Sequence, residues 1–133
     1  MKTLKRNEAR ILLAVIRFVN GAIGLFAPQV IMGRFRDEEH HDTPVATYAL
    51  RMFGMRTILA ALDLLRSDDV VRQHAQKVAP IMHASDLTTA FLIAKSGQVK
   101  TKTGLMIVSI SALNTLLALI IAKSDRDAVE TAV

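Results

Sequence analysis

The stretch from Gly104 to Ala122, GLMIVSISALNTLLALIIA, decides how the rest of the chain is read. It holds nineteen residues and not one Asp, Glu, Lys, Arg or His. A helix of about twenty residues is ~30 Å long, the thickness of a bilayer's hydrocarbon core. Uncharged runs of that length are rare in helices that face water and meet the criterion for a membrane span. Strand is a poor alternative, because the run is too long and lacks a two-residue alternation.

Working outward, three more apolar segments have a similar length, at about 11–32, 45–65 and 78–96. Pro28 lies near the end of the first, Pro44 just before the second, and Pro80 in the first turn of the third, where proline is tolerated. Together with 104–122 they predict an all-α class: an integral membrane four-helix bundle forming one domain over 1–133. The rival is a soluble four-helix bundle with wide apolar stripes. The opening residues, MKTLKRNEARILLAVIRFV, have the outline of a signal peptide. However, the apolar run Ile11 to Ile16 stops at Arg17, Glu8 interrupts the basic region, and no A-x-A site follows. They read as a retained first helix.

Composition points the same way. The chain has 133 residues, 51% of them hydrophobic, and a positive mean hydropathy. Its length suits one domain. A net charge of +5 fits an anionic surface, an anionic ligand or nucleic acid. Nucleic acid is set aside, because the basic residues form no stripe interleaved with aromatics, Trp is absent and Tyr48 is the single tyrosine. The absence of cysteine excludes disulfides, thiolate metal sites and cysteine nucleophiles.

Orientation follows from the basic residues outside the spans. Lys2, Lys5, Arg6, Arg10, Arg66, Arg72, Lys77, Lys123 and Arg126 fall on one side, nine in all; Arg34, Arg36, Lys95, Lys100 and Lys102 make five on the other. That excess places both termini in the cytoplasm and the protein in the plasma membrane, as a multi-pass protein.

The second segment, YALRMFGMRTILAALDLL (Tyr48–Leu65), is the anomaly, since it carries Arg51, Arg56 and Asp63. At ~100° per residue, Tyr48, Arg51, Arg56, Asp63 and Arg66 share an arc of about 140°. Leu50, Phe53, Ile58, Ala61, Leu64 and Leu65 occupy the other side, which is expected to meet lipid while the charged arc meets protein. Polar or small residues also cluster in the other segments: Arg10, Arg17, Asn20, Gly21 and Gly24; His83 and Asp86; and Gly104, Ser111, Asn114, Thr115 and Ala118. Small residues let helices approach closely, and Ser, Thr and Asn bond across them. Counting ~1.5 Å per residue, Asn20, Arg56, Asp86 and Asn114 lie roughly 12–14 Å from the cytoplasmic edge. Arg17 and His83 lie at about 8–9 Å and Asp63 at about 3 Å, while Arg51 is expected to snorkel toward the opposite side. An arginine near mid-span costs on the order of 2.5–3.5 kcal/mol, which a buried ion pair between Arg56 and Asp86 is expected to offset.

Three stretches carry a resemblance: RFVNGAIGLFAPQVIMGRF (17–35), YALRMFGMRTILAALDLLRS (48–67) and IMHASDLTTAFLIAKSGQVKTKTG (81–104). They resemble an actinobacterial family of small four-helix membrane proteins of unknown function. Arg51, Gly54, Arg56 and Asp86 match its main positions over about residues 10–120. The chain departs from it at Thr57, where an acidic residue is expected. The resemblance implies the architecture and supplies no activity.

No constellation amounts to a catalytic or metal motif. Glu38-x-x-His41 is half of a carboxylate-bundle iron motif and lacks the second half. His83-x-x-Asp86 offers too few ligands for a closed metal site, and Ser85 diverges from Asp86 on a helix, so no triad forms. There is no phosphate-binding glycine loop, and the methionines read as core filling. No metal or cofactor is expected. The leading expectation is a non-enzymatic scaffold or accessory subunit of a larger membrane protein. Its polar layer comprises Arg17, Asn20, Arg51, Arg56, Asp63, His83, Asp86 and Asn114. The alternative is a binder or carrier of an anionic amphiphile or lipid headgroup through Arg17, Arg56 and Asp86. A third is a membrane enzyme using His83 and Asp86 as an acid–base pair.

Overall fold

A computed structural model describes residues 6–35, 44–97 and 99–130. Those residues form five helices and no strand: α1 (Arg6–Phe26), α2 (Pro28–Phe35), α3 (Pro44–Leu65), α4 (Asp69–Lys95) and α5 (Thr101–Glu130). The Glu38/His41 motif lies outside the described residues.

Three helices are long and apolar enough to cross a membrane: α1, α3 and the Thr101–Lys123 part of α5. Two predicted segments need correction. The first does not continue to Met32, because Pro28 has no amide proton and disfavours helical backbone at the residue before it. The last turn of α1 closes with Ala27 N donating to Ile23 O (2.9 Å), and α2 starts with Val30 N donating to Ala27 O (3.0 Å). The third segment begins earlier than expected, at Asp69. The Asp68 carboxylate caps it, accepting from Val70 N at 2.9 Å and Val71 N at 3.2 Å, which satisfies two of the free amides of the first turn. Pro80 is therefore inside α4 rather than in its first turn. Gln76, Lys77, His83 and Asp86 also interrupt the apolar run of α4, and it is not among the three helices apolar enough to cross.

α3 begins on Pro44, the position where proline's fixed φ is already helical. α4 ends with Ser96 N bonded to Leu92 O at 3.0 Å, and Gly97, at φ +75°, turns the chain into α5. The most extensive packing is α1 against α3 and α4 against α5; α1–α5 contacts are fewer, and α3–α4 contacts fewer still. The short α2 is tied to α5 by Thr103 Oγ1 donating to Arg34 O at 3.0 Å.

Glycines explain the α1–α3 pairing. A Cβ on Gly54 would lie 2.5 Å from Gly21 O and from Leu25 N, and one on Gly21 would lie 2.8 Å from Gly54 O. The two backbones touch, so no side chain fits between them.

One end of the molecule has a closed apolar core made of Ala9, Leu13, Ala14, Leu64, Ala79, Leu117, Ala118 and Ile121. Four of these residues are alanine. Most large apolar side chains lie on the outside, among them Ile11, Val15, Phe18, Leu59, Leu62, Ile81, Leu92, Leu116 and Leu119. Small residues inside and large apolar residues outside suit helices whose surrounding solvent is hydrocarbon, where close approach rather than apolar burial drives packing. The face assignment of α3 changes accordingly. Gly54, Thr57, Ala61 and Leu64 are its buried residues, so Ala61 and Leu64 face the interior rather than lipid.

Candidate functional site

Half-way along the helices the interior opens. A cleft of about 430 Å³ is lined by Arg17 and Asn20 of α1, by Ala49, Met52, Phe53, Arg56 and Thr57 of α3, by Met82, His83 and Asp86 of α4, and by Asn114 of α5. The α3 contribution follows helical spacing, since residues three and four apart share a face. Its exposed lining residues, Ala49, Met52, Phe53, Arg56, Met82 and Asp86, all belong to α3 and α4, so its mouth lies between these two helices, the least closely packed of the neighbouring long helices.

Arg17 anchors the cleft. It is 5% exposed, and its Nη1 lies 3.1 Å from His83 Nε2. A guanidinium only donates, so Nε2 accepts, and a neutral His83 carries its ring proton on Nδ1. Nδ1 faces Asp86 Oδ2 at 3.6 Å, too long for a hydrogen bond. α5 fixes this part of α4 from the other side: Thr115 Oγ1 donates to His83 O at 2.9 Å and is also 2.8 Å from Ser111 O. One edge of Arg17 is thereby engaged, while its Nε has no protein partner; the Oδ1 of buried Asn114 is likewise unpartnered. Both residues line the cleft, so its wall holds a buried donor and a buried acceptor without a protein partner, and such groups call for an explanation.

Of the predicted layer, Arg17, Asn20, Arg56, His83, Asp86 and Asn114 meet around this cleft, while Arg51 and Asp63 do not line it. Burial differs from expectation. Arg17, His83 and Asn114 are buried and Asn20 and Asp63 half-buried, but Arg51, Arg56 and Asp86 are exposed. The expected buried ion pair between Arg56 and Asp86 does not form; Asp86, 54% exposed, faces the His83 ring instead. A helical wheel gives the direction of a side chain and not the separation of two helices, and α3 is held toward α1 by the glycine contact. Thr57, the departure from the resembled family, turns out to be a buried wall of the cleft. The apolar part of the lining, Ala49, Met52, Phe53 and Met82, was not foreseen, because apolar residues on an apolar helix carry no distinguishing signal.

No known protein family, curated protein or solved structure matches the chain. Function therefore has to be read from the cleft. Among the described residues no group of three or more His, Asp or Glu side chains is placed to hold a metal ion. His83 and Asp86 face each other with no nucleophile placed between them. Binding is the chemistry this arrangement offers most directly: two guanidiniums and two amides beside an apolar wall.

Proposed function

We propose that the chain is an integral membrane protein of the plasma membrane in which α1, α3, α4 and α5 form a four-helix bundle with both termini cytoplasmic, and that its cleft binds the acidic head of an amphiphile. The observation that carries this reading is the position of the cleft: half-way along the helices, charged within, and open between α3 and α4. At that height in a bilayer the mouth faces lipid tails, so an occupant enters from the membrane rather than from water. Arg17, held by His83, and Arg56 bind the acid; Met52, Phe53 and Met82 take the start of the tail. Ionisable groups at such a depth are costly and usually mark function. The resemblance to the actinobacterial four-helix family belongs to the same proposal and adds an architecture without an activity.

Mass spectrometry of lipids that co-purify with the detergent-extracted protein tests the reading. An acidic lipid or fatty acid should be enriched over bulk lipid, and the Arg56→Gln protein should lose that enrichment. Co-purification of bulk lipid alone with both proteins would refute the binding. For orientation, Glu39→Cys should react with an impermeant thiol reagent added outside intact cells and Asp69→Cys should not; the reverse would invert the topology.

A second reading, an accessory subunit of a larger membrane assembly, draws support from the exposed, opposite charges of Arg56 and Asp86. A partner helix seated there would pair both. Stoichiometric co-purification of another membrane protein, lost with Asp86→Asn, would favour it over the lipid site.

A further inference from the structure

The depth of the cleft carries a consequence beyond binding. Arg17 lies roughly 9–14 Å from the two ends of the apolar part of α1, which starts at Ile11, and Arg56 roughly 13–18 Å from those of α3, at ~1.5 Å per residue. The heads of lipids at rest in either leaflet sit at the helix ends, not there. A protein that simply holds a lipid against one leaflet would place its cationic groups near a helix terminus. Here they are at the level a headgroup passes only on its way from one leaflet to the other.

We infer that the protein moves an anionic phospholipid between the two leaflets, with the head travelling through the cleft and the tails remaining in the bilayer through its mouth. The inference rests on the proposed membrane placement and headgroup site. The slow step in unassisted crossing is stripping water from a charged head at the centre of the hydrocarbon. Arg17, Arg56 and the amides of Asn20 and Asn114, which line the cleft, replace that water with fixed donors and acceptors, which lowers the barrier for a head of matching charge. Arg17 and Arg56 against Asp86, with His83 neutral, leave one uncompensated positive charge, which a singly charged phosphodiester balances. At about 430 Å³ the cavity holds a phosphodiester with a small polar substituent and is far larger than a bare carboxylate requires. The tails need not enter, because Arg56 and Asp86 are exposed at an open mouth.

The experiment reconstitutes the full chain in phosphatidylcholine vesicles that carry a trace of tail-labelled fluorescent phosphatidylglycerol. Dithionite added outside then bleaches whatever label reaches the outer leaflet. Protein-free vesicles should stop at the outer-leaflet fraction, and vesicles with the protein should bleach to completion. Arg56→Gln, a change at an exposed position whose folding is checked by thermal unfolding, should slow the second phase on the order of tenfold or more, the scale of one charge-assisted hydrogen bond. Labelled phosphatidylcholine should stay at the outer-leaflet fraction. Bleaching that stops there for phosphatidylglycerol too, while acidic lipid still co-purifies with the protein, overturns movement and leaves binding intact. Neither enrichment nor movement overturns both. Equal movement of the two labelled lipids, or an unchanged rate in Arg56→Gln, also overturns the inference, because the charge of the cleft would then play no part.

Discussion

α3 has two neighbours and treats them oppositely. Against α1 it presents Gly54, and the backbones meet so closely that even a methyl group at Gly54 would lie 2.5 Å from a carbonyl oxygen. Toward α4 it presents Arg56 and, one turn earlier, Met52 and Phe53, and the space between is a cleft. The same helix is thus half of a sealed seam and half of an open wall. Glycines supply no side chain and draw two helices together; a guanidinium facing a carboxylate across a cavity leaves room for something else. The seam sets the position of α3, and that position leaves the cleft open.

The largest effect should come from forcing the sealed seam apart. Gly54→Ala places a Cβ against the backbone of α1, which a rotamer change cannot relieve, and should cost about 3 kcal/mol, the upper end of overpacking penalties. Thermal unfolding in detergent reads this as a marked fall in Tm. Gly33→Ala is the control: nothing lies within 4 Å of its Cβ, and it should be neutral or stabilise α2 by roughly 0.5–1 kcal/mol through the better helix former. Similar behaviour of the two variants would mean that α1 and α3 are not in backbone contact.

The seam was only partly legible in the sequence. Gly21 and Gly24 were readable as part of a small face on the first helix, but Gly54 sat beside Arg51 and Arg56, and the charges dominated the reading of α3. Of the buried stripe Gly54, Thr57, Ala61 and Leu64, Ala61 and Leu64 read as facing lipid, and Gly54 and Thr57 had no assigned face. The uncharged run 104–122 needed no such weighing, and α5 contains it whole. The start of α4 was missed for another reason: apolar content marks where a segment turns hydrophobic, whereas the helix begins at its cap, Asp68, well before. At the cleft, depth counting brought Asn20, Arg56, Asp86 and Asn114 to one level, since rise per residue is nearly invariant. The distance across that level was beyond reach, because it depends on contacts elsewhere in the molecule.

A smaller effect belongs to the link between the sealed and open regions, the Arg17–His83 contact at 3.1 Å. His83→Ala removes the acceptor from a buried guanidinium, and hydrogen bonds to charged groups contribute ~1.5–3 kcal/mol. His83→Gln retains an amide oxygen as acceptor and should recover most of that loss in Tm. It should also preserve the enrichment of acidic lipid, because Arg17 would still be held in the wall of the cleft. Equal losses from the two substitutions would assign the cost to packing of the imidazole rather than to its bond with Arg17.

The smallest effect should be the coupling between Arg56 and Asp86. Both are exposed and line the cleft from opposite walls without forming an ion pair. Exposed pairs contribute little even when formed, typically ~0.2–1 kcal/mol. A double-mutant cycle of Arg56→Gln and Asp86→Asn, read as Tm in detergent, should therefore be additive to within about 0.5 kcal/mol. Lipid binding should separate the two residues where stability does not. Loss of Arg56 removes a donor to the acid, while loss of Asp86 removes a negative charge that repels it, so enrichment of acidic lipid should fall in the first variant and rise in the second. A coupling of several kcal/mol, with both variants losing lipid alike, would mean that the walls close on each other and form the ion pair. The cleft would then be a polar contact between helices, and the contrast between the two sides of α3 would disappear.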